Sequence, residues 1–381
     1  MKVAIYSNSS FGGCYEYAKQ IAETYSKQSE VERCYALFPK DGGKECPQAK
    51  DILMKDLSFK GIKKIFGKFY FLYRSLVNPL RAYKFVKKNK VDLLIFNDFD
   101  QVTSFFWTSR YKKRNFKTAI ILHDPDRSAY FSKLSWSEKS MQRIMDVMDL
   151  AFYHETLPDL CYYKNPCNRI KYAKIPHGIY PASPADSATE EYIRSIKSKG
   201  LKVVSITGNI RAEKNYKLAI KAVTKIPDIA LLIAGTTVTS TEDVNEYKKF
   251  AESCGVEDRV FFLVKYLNGN EISSIFKNSD IVLLYYSQTF KSQSGILNSL
   301  SPFRPKLIVS KTESGMAYSA SKYKLAVMVE PDNLDALVDA IKNYPTDNPY
   351  VDNWTAFSEY SSWNNNVRIQ LSAYNTLVNN I

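Results

Sequence analysis

Histidine is scarce in this chain, with three among 381 residues, and the six cysteines at 14, 34, 46, 161, 167 and 254 never form a Cys-x-x-Cys pair. A zinc site is therefore not expected, and buried free thiols are the plainer reading. Glycine is also sparse, 14 in all, and Gly12-Gly13 stands without the Gly-x-Gly-x-x-Gly spacing of a dinucleotide site, which disfavours a nicotinamide or flavin cofactor. No apolar run approaches the roughly 20 residues that a membrane-spanning helix requires. The opening MKVAIYSNSSFGG lacks the charged, apolar and small-residue sections of a signal peptide, so a cytosolic location is expected.

One further absence is local. Between Leu57 and Val91 there is no acidic residue, while ten lysines and arginines alternate with aromatics. The whole chain carries 53 Lys+Arg against 39 Asp+Glu, a formal charge of +14, which implies a polyanionic neighbour. A basic, aromatic, amphipathic segment suits the headgroup layer of an anionic bilayer, so residues 57–91 are expected to attach the protein to the inner face of a membrane. The plainer alternative is a helical hairpin with its aromatics in the core. Charge alone also suggests a nucleic-acid binder, but no recognition motif supports it, and no nucleic-acid partner is expected.

A chain of this length exceeds one ordinary core, so two domains are expected. In the first half, strands are predicted at 2–7, 32–38, 92–96, 118–122 and 150–154, with helical patterns such as 15–28 and 138–146 between them. Ile175-Pro-His-Gly-Ile-Tyr-Pro-Ala-Ser-Pro184 reads as a connection. The alternation then restarts, with strands at 202–206, 230–233, 260–264, 281–285, 307–309 and 326–329. Continuous apolar strands such as Ile281-Val-Leu-Leu284 point to burial on both faces, as in parallel sheets covered by helices. The expected domains are 1–178 and 179–349, with a helical tail, 350–381, packing back on the first.

Ligands of open α/β sheets sit just beyond the carboxyl ends of the strands, and this ranks the candidates. After the strand at 202–206 come Gly208, suited to close approach, the neighbouring Asn209, and then Arg211 and Lys214 near a helix start, a set suited to a diphosphate. Gly235 ends the next strand in a turn. Lys265 and Tyr266 follow the third and offer a backbone edge and a ring to bracket a planar base. Ser294, Gly295 and Ile296 open a helix whose first amides can contact phosphate or sugar oxygens. In the first half, Gly12 and Gly13 lie between a strand and a helix. The stretch Ile121-Leu-His-Asp-Pro-Asp-Arg127 has two readings: Asp124 and Asp126 as metal carboxylates, or a strand that delivers His123 and Asp124 to the crevice. Asp98-Phe-Asp100 is a weaker metal candidate. His154 and His177 are expected to make structural hydrogen bonds.

Taken in order, Gly208-Asn-Ile-Arg-Ala-Glu-Lys-Asn215, Leu232-Ile-Ala-Gly235, Phe262-Leu-Val-Lys-Tyr266, Asp280-Ile-Val-Leu-Leu-Tyr285, Ser294-Gly-Ile296 and Val329-Glu-Pro-Asp332 resemble the nucleotide-sugar domain of GT-B glycosyltransferases, close to family four. The first half is similar in outline through Gly12-Gly13, His123-Asp124 and Ile175-Pro-His-Gly178. The resemblance implies two Rossmann-like doubly wound domains facing a central cleft. It also implies a nucleotide-sugar donor used as substrate, with UDP the carrier by family frequency, and no other cofactor. Gly12 and Gly13 would lie beside the donor phosphates or the acceptor, and His123 would face the transferred sugar. Arg211 and Lys214 would neutralise the departing diphosphate without a metal, and Ser294, Gly295 and Ile296 would contact phosphate or ribose. Asp124 would orient His123.

One departure matters. Retaining family-four enzymes carry two glutamates at positions that align here with Lys291 and Ser299, and a related subset carries a Ser-Gly pair, as this chain does. Retention or inversion therefore stays open, with Asp124, His123 or Asp98 available as a base for an inverting reaction. A non-catalytic partner subunit on the same fold is the alternative to an enzyme. The acceptor is expected to be a lipid-linked glycan in surface polysaccharide or glycoconjugate synthesis.

Overall fold

The computed structural model describes all residues except 41, 44, 58–63, 129, 165–169, 238–242 and 380–381. It divides into two compact units, residues 1–178 with 362–381, and residues 179–361.

The first unit is built on seven strands: β1 (Lys2–Tyr6), β2 (Arg33–Pro39), β3 (Ala49–Leu53), β4 (Leu93–Phe96), β5 (Lys117–Leu122), β6 (Leu150–Tyr153) and β7 (Lys171–Lys174). They pair in parallel in the order β3-β2-β1-β4-β5-β6-β7. The connecting helices are α1 (Gly13–Ser26), α2 (Lys64–Asn89), α3 (Ser104–Tyr111), α4 (Leu134–Met145) and the single turn α5 (Cys161–Lys164). Side chains of β1 alternate between two cores: Val3 and Ile5 join the one formed with α1, while Ala4 and Tyr6 join the one formed with α2, α3 and α4. A sheet buried on both faces has no polar side to show, which is why its central strands read as unbroken apolar runs.

The second unit repeats the plan with β8 (Lys202–Thr207), β9 (Ile229–Gly235), β10 (Val260–Val264), β11 (Ile281–Leu284), β12 (Leu307–Ser310) and β13 (Val327–Val329), in the order β10-β9-β8-β11-β12-β13. Its helices are α6 (Ser187–Lys197), α7 (Tyr216–Lys225), α8 (Val244–Ser253), α9 (Gly269–Asn278), α10 (Gly295–Leu300), α11 (Gly315–Lys322), α12 (Leu334–Lys342) and α13 (Asn353–Tyr360). Both sheets are doubly wound. Their strand order reverses between β1 and β4 and between β8 and β11, the points where a crevice opens at the carboxyl edge.

Three expectations need correction. Strands β3 and β7 escape the sequence reading because they are sheet edges, and an edge strand such as Lys-Tyr-Ala-Lys carries polar residues that a central strand cannot. Residues 64–89 form one helix with Pro79 inside it, not a hairpin. The last residues also do not act as one tail. Trp354 and Phe357 of α13 are buried in the second unit, and burying a side chain the size of Phe is worth about 1.5–3 kcal/mol. The final helix, α14 (Trp363–Asn379), puts Val367 and Leu371 into the core of the first.

Candidate functional site

In the second unit the chain reverses sharply after β8, and Gly208 takes a positive φ of 95°. A methyl group there would lie 3.0 Å from Ile296 Cδ1 and 3.3 Å from Lys214 Nζ. The turn after β8, the short helical turn carrying Lys214, and the start of α10 therefore converge on one spot beside the switch point. Lys214 is 4% exposed and donates from Nζ to the Thr207 carbonyl at 2.6 Å. Burial, and then the neighbouring Arg211, push its ammonium down to about 7 against an opposing pull from Glu213. Arg211 and Asn209 are exposed. The Ser287 amide donates to the Glu213 carbonyl at 2.7 Å and ties the loop after β11 to this turn.

Ser294 precedes α10 and makes no side-chain cap, so the amides of Gly295 and Ile296 lack an intrahelical acceptor. The Ser294 hydroxyl lies 3.4 Å from that of Tyr286, whose ring stacks on Phe290 at 4.1 Å. Ser299, at one of the aligned glutamate positions, turns its hydroxyl back to the Gly295 carbonyl at 2.9 Å.

Gly235 has a reason internal to the chain. At φ 148°, a methyl group on it would sit 2.0 Å from the Gly208 carbonyl oxygen, so glycine is needed to let the two turns pass. Lys265 forms an ion pair with Glu271, itself the capping-box residue of α9. The Lys265 amide also bonds the Gly235 carbonyl at 3.0 Å, which leaves the exposed Tyr266 ring as the surface feature at this edge.

At the switch point of the first unit, α1 starts at Gly12-Gly13. Gly12 has φ 81°, no side-chain cap is made, and a methyl group on either glycine would meet open space. The loop before them is held from below by Asp98. Its carboxylate accepts from the Ser9 hydroxyl at 2.6 Å, the Ser9 amide at 3.1 Å, the Ser7 hydroxyl at 3.3 Å and the Asn8 amide. With its lone pairs engaged in this way, Asp98 positions the loop and is not an available base. Asp100 accepts from the Asn8 side chain at 2.5 Å, and burial, then Asp98, raise it to about 6. Asp126 accepts from the Ser128 amide at 3.0 Å and its hydroxyl at 2.5 Å, a turn-forming use. Among the described residues no group of three or more His, Cys, Asp or Glu is placed to hold a metal ion.

The three histidines, from the ends of β5 and β6 and the segment after β7, gather around Tyr17, with ring centroids 4.5, 5.7 and 5.2 Å away for His123, His154 and His177. Trp363 closes the cluster at 4.9 Å from Tyr17. Its ring lies so close over Gly178 that a methyl group there would meet it at 2.1 Å. Asn366 donates to the Tyr17 hydroxyl at 2.7 Å and the Pro176 carbonyl at 2.6 Å. Much of the Ile175-Pro-His-Gly178 pattern is thus packing. His177 Nδ1 lies 3.1 Å from the Gly178 carbonyl, and burial lowers the ring to about 4.

His123 and His154 form a relay with carbonyl acceptors at both ends. Asn97 donates from Nδ2 to the Cys14 carbonyl at 2.8 Å, which aims its Oδ1 at His123 Nε2, 3.0 Å away. His154 Nδ1 faces the Ile175 carbonyl at 3.1 Å. Both outer nitrogens must donate, so while both rings are neutral the central contact, His154 Nε2 to His123 Nδ1 at 3.3 Å, has no proton. A single added proton would complete it. Burial, then the neighbouring imidazoles and Arg127, holds His123 well below the usual histidine range, and burial with His177 lowers His154 to about 3. Because both ring nitrogens of His123 are engaged by Asn97 and His154, Asp124, which is exposed, does not take the expected orienting role.

The thiols are less uniformly buried than expected. Cys34 and Cys46 are buried, Cys14 and Cys254 are intermediate, and Cys161 is exposed. Cys167 lies outside the described residues.

Residues 188–360 match the family model described as glycosyl transferases group 1. No curated protein matches the chain. Solved structures do, over essentially its whole length. Sucrose-phosphate synthase from Thermosynechococcus elongatus has a TM-score of 0.74 at 13% identity, over all of both chains. Anabaena HepE in complex with UDP and glucose has a TM-score of 0.71 at 15% identity, again over all of both chains. The UDP-forming alpha,alpha-trehalose-phosphate synthase from Burkholderia vietnamiensis has a TM-score of 0.65 at 14% identity, over 99% of each. Two doubly wound Rossmann-like units give the chain the GT-B fold of these structures, and its second unit matches the glycosyl transferases group 1 family.

Proposed function

We propose that the protein transfers a sugar from a uridine diphosphate donor to a lipid-linked glycan at an anionic membrane face, with side-chain cations in place of a metal. The convergence of Gly208, Lys214 and Ile296 at the β8–β11 switch point carries the reading of the donor site. As the glycosidic bond breaks, negative charge grows on the phosphate oxygen. The Lys214 ammonium, the Arg211 guanidinium and the amides that open α10 would meet that charge already in place, which stabilises the transition state without reorganisation. UDP as the carrier is supported by the UDP named with HepE and by the UDP-forming synthase. Titration calorimetry with UDP, GDP and dTDP is the direct check. UDP is expected to bind most tightly, and failure of all three would end the proposal.

The membrane part is supported by where apolar side chains are exposed in the first unit. Phe11, Ile65, Phe66, Phe69, Leu72, Tyr73, Phe106, Leu134 and Trp136 are each at least 42% exposed. All follow the carboxyl end of a strand, in the loop after β1 or the first half of α2, α3 or α4. Within α2 the face at 65, 69 and 72–73 recurs at helical spacing, whereas Ser75, Asn78, Ala82, Tyr83 and Val86 are buried. The docking segment is therefore the first half of α2, not all of 57–91. Lys68 is exposed there, while Lys60 and Lys63 lie outside the described residues. No helix among the described residues is long and apolar enough to cross a membrane, and this face suits docking at a surface. In flotation assays the protein is expected to rise with vesicles containing phosphatidylglycerol and much less with phosphatidylcholine alone. Replacing Phe66 and Phe69 with serine should abolish flotation and leave UDP binding unchanged, and equal recovery on both vesicle types would remove the electrostatic part.

A further inference from the structure

The loop between β5 and α4 carries an arginine that neither the donor site nor the histidine relay uses. Arg127 lies with its guanidinium 4.9 Å from the centre of the Phe99 ring and 6.0 Å from that of Tyr130. Its Nε is buried and has no hydrogen-bond acceptor, and among the described residues it forms no ion pair. The backbone around it is fixed: the Arg127 amide donates to the Tyr162 hydroxyl at 3.0 Å, and the Tyr163 hydroxyl donates to the Pro125 carbonyl at 2.6 Å. The positive charge bears on Cys14 in the first turn of α1, on Asp100 after β4 and on His123 after β5. That places it at the carboxyl edge of the first sheet, beside the uncapped start of α1. Asp100, the acid of that group, makes no ion pair with Arg127, and its carboxylate instead accepts from the Asn8 side chain at 2.5 Å.

A planar cation seated on an aromatic ring, with a desolvated N–H left unmatched, is made complete by an oxyanion that accepts two parallel N–H bonds. We infer that Arg127 binds the phosphate or diphosphate group of the acceptor substrate, in the first unit and apart from the donor diphosphate. The inference rests on the transfer reading above, and it specifies that the acceptor is phosphorylated. Such a phosphate belongs either to an isoprenoid lipid carrier or to a soluble sugar phosphate.

The full-length protein is first saturated with UDP, so that the second unit cannot take up the probes, and then titrated with farnesyl diphosphate, inorganic pyrophosphate and farnesol. Farnesyl diphosphate is expected to bind most tightly and farnesol least. Arg127→Gln should weaken both phosphorylated probes at least about 30-fold, the order of one charge-assisted bidentate contact, while Arg127→Lys retains part of the affinity and neither variant alters UDP affinity. Pyrophosphate binding as tightly as farnesyl diphosphate would assign the phosphate to a soluble acceptor. Unchanged affinity in Arg127→Gln, or no binding of either phosphorylated probe by the wild type, overturns the inference. If Arg127→Gln fails to fold, Arg127→Lys decides, since unchanged affinity there is equally fatal. Loss of UDP binding by the wild type would instead strike the donor reading and leave the pyrophosphate comparison to be made without it.

Discussion

Lys214→Met is expected to lower kcat for sugar transfer by about 100- to 1,000-fold, the range found when one fixed donor to developing charge is removed, without lowering the unfolding midpoint. The two halves of this expectation have one cause. Lys214 is buried with its ammonium on a single carbonyl, Thr207. Desolvation of a charge disfavours it, and this brings the group down to about 7. Replacing it with an apolar side chain of similar length removes a charge the fold holds at a disadvantage, so stability should hold or rise slightly. A bound diphosphate reverses the balance by supplying the missing counter-charge, and the lysine takes up a proton as the ligand enters. In the wild type the affinity for UDP should therefore fall as pH rises above about 7, by at most tenfold per unit for one proton, and this dependence should vanish in Lys214→Met. Calorimetry at pH 6, 7, 8 and 9 reads both effects. A variant that binds UDP as the wild type does, with the same pH profile, would remove Lys214 from the donor site.

The strands that face helices on both sides were legible because burial leaves them no polar residues, and their alternation with helices was enough to predict doubly wound sheets. β3 and β7 were not, since an edge strand needs no such pattern. The omission of β7 had a further consequence. His123, His154 and His177 follow neighbouring strands β5, β6 and β7, so a reading that includes β7 brings all three rings to one sheet edge, whereas without it His177 is a loop residue on its own. Glycines were legible as turns but not in purpose. Gly208 stands where Lys214 and Ile296 approach, Gly235 where the Gly208 carbonyl passes, and Gly178 beneath the Trp363 ring, and only the partner in space distinguishes these cases. The same holds for carboxylates. Asp98 looked available as a base, and it is engaged by the loop from Ser7 to Ser9. Arg127 drew no notice because a cation after a strand is usually solvated, and its unmatched Nε is a property of packing.

The histidine relay makes the largest acid-sensitivity expected of this fold. An unfolded chain protonates its histidines as pH falls through about 6.5, whereas the folded rings of His154 and His177 stay neutral down to about 3 and 4. Between pH 6.5 and 4 the unfolded state therefore binds more protons, and each ring withdraws about 1.4 kcal/mol of stability per pH unit. Asp98 and Asp100 act in the opposite sense. Their carboxyls are raised in the folded state, Asp100 to about 6, so the folded protein gains protons there first and recovers stability as pH falls below 6. Three imidazoles against two carboxyls leave a net loss, and the wild-type slope is expected to be smaller than the histidines alone would give. His154→Gln isolates one contribution: denaturant titrations at pH 6.5, 5.5 and 4.5 should show a slope reduced by about 1.4 kcal/mol per unit. An unchanged slope would mean that His154 is not held neutral. Because the chain has only three histidines, nitrogen-15 spectra of their rings test the relay itself. The free protein at neutral pH should show the proton on Nδ1 of His154 and on Nε2 of His123, since carbonyl acceptors stand at both ends. A spectrum with the two tautomers reversed would contradict the direction of the relay, and with it the argument that one further proton completes the pair.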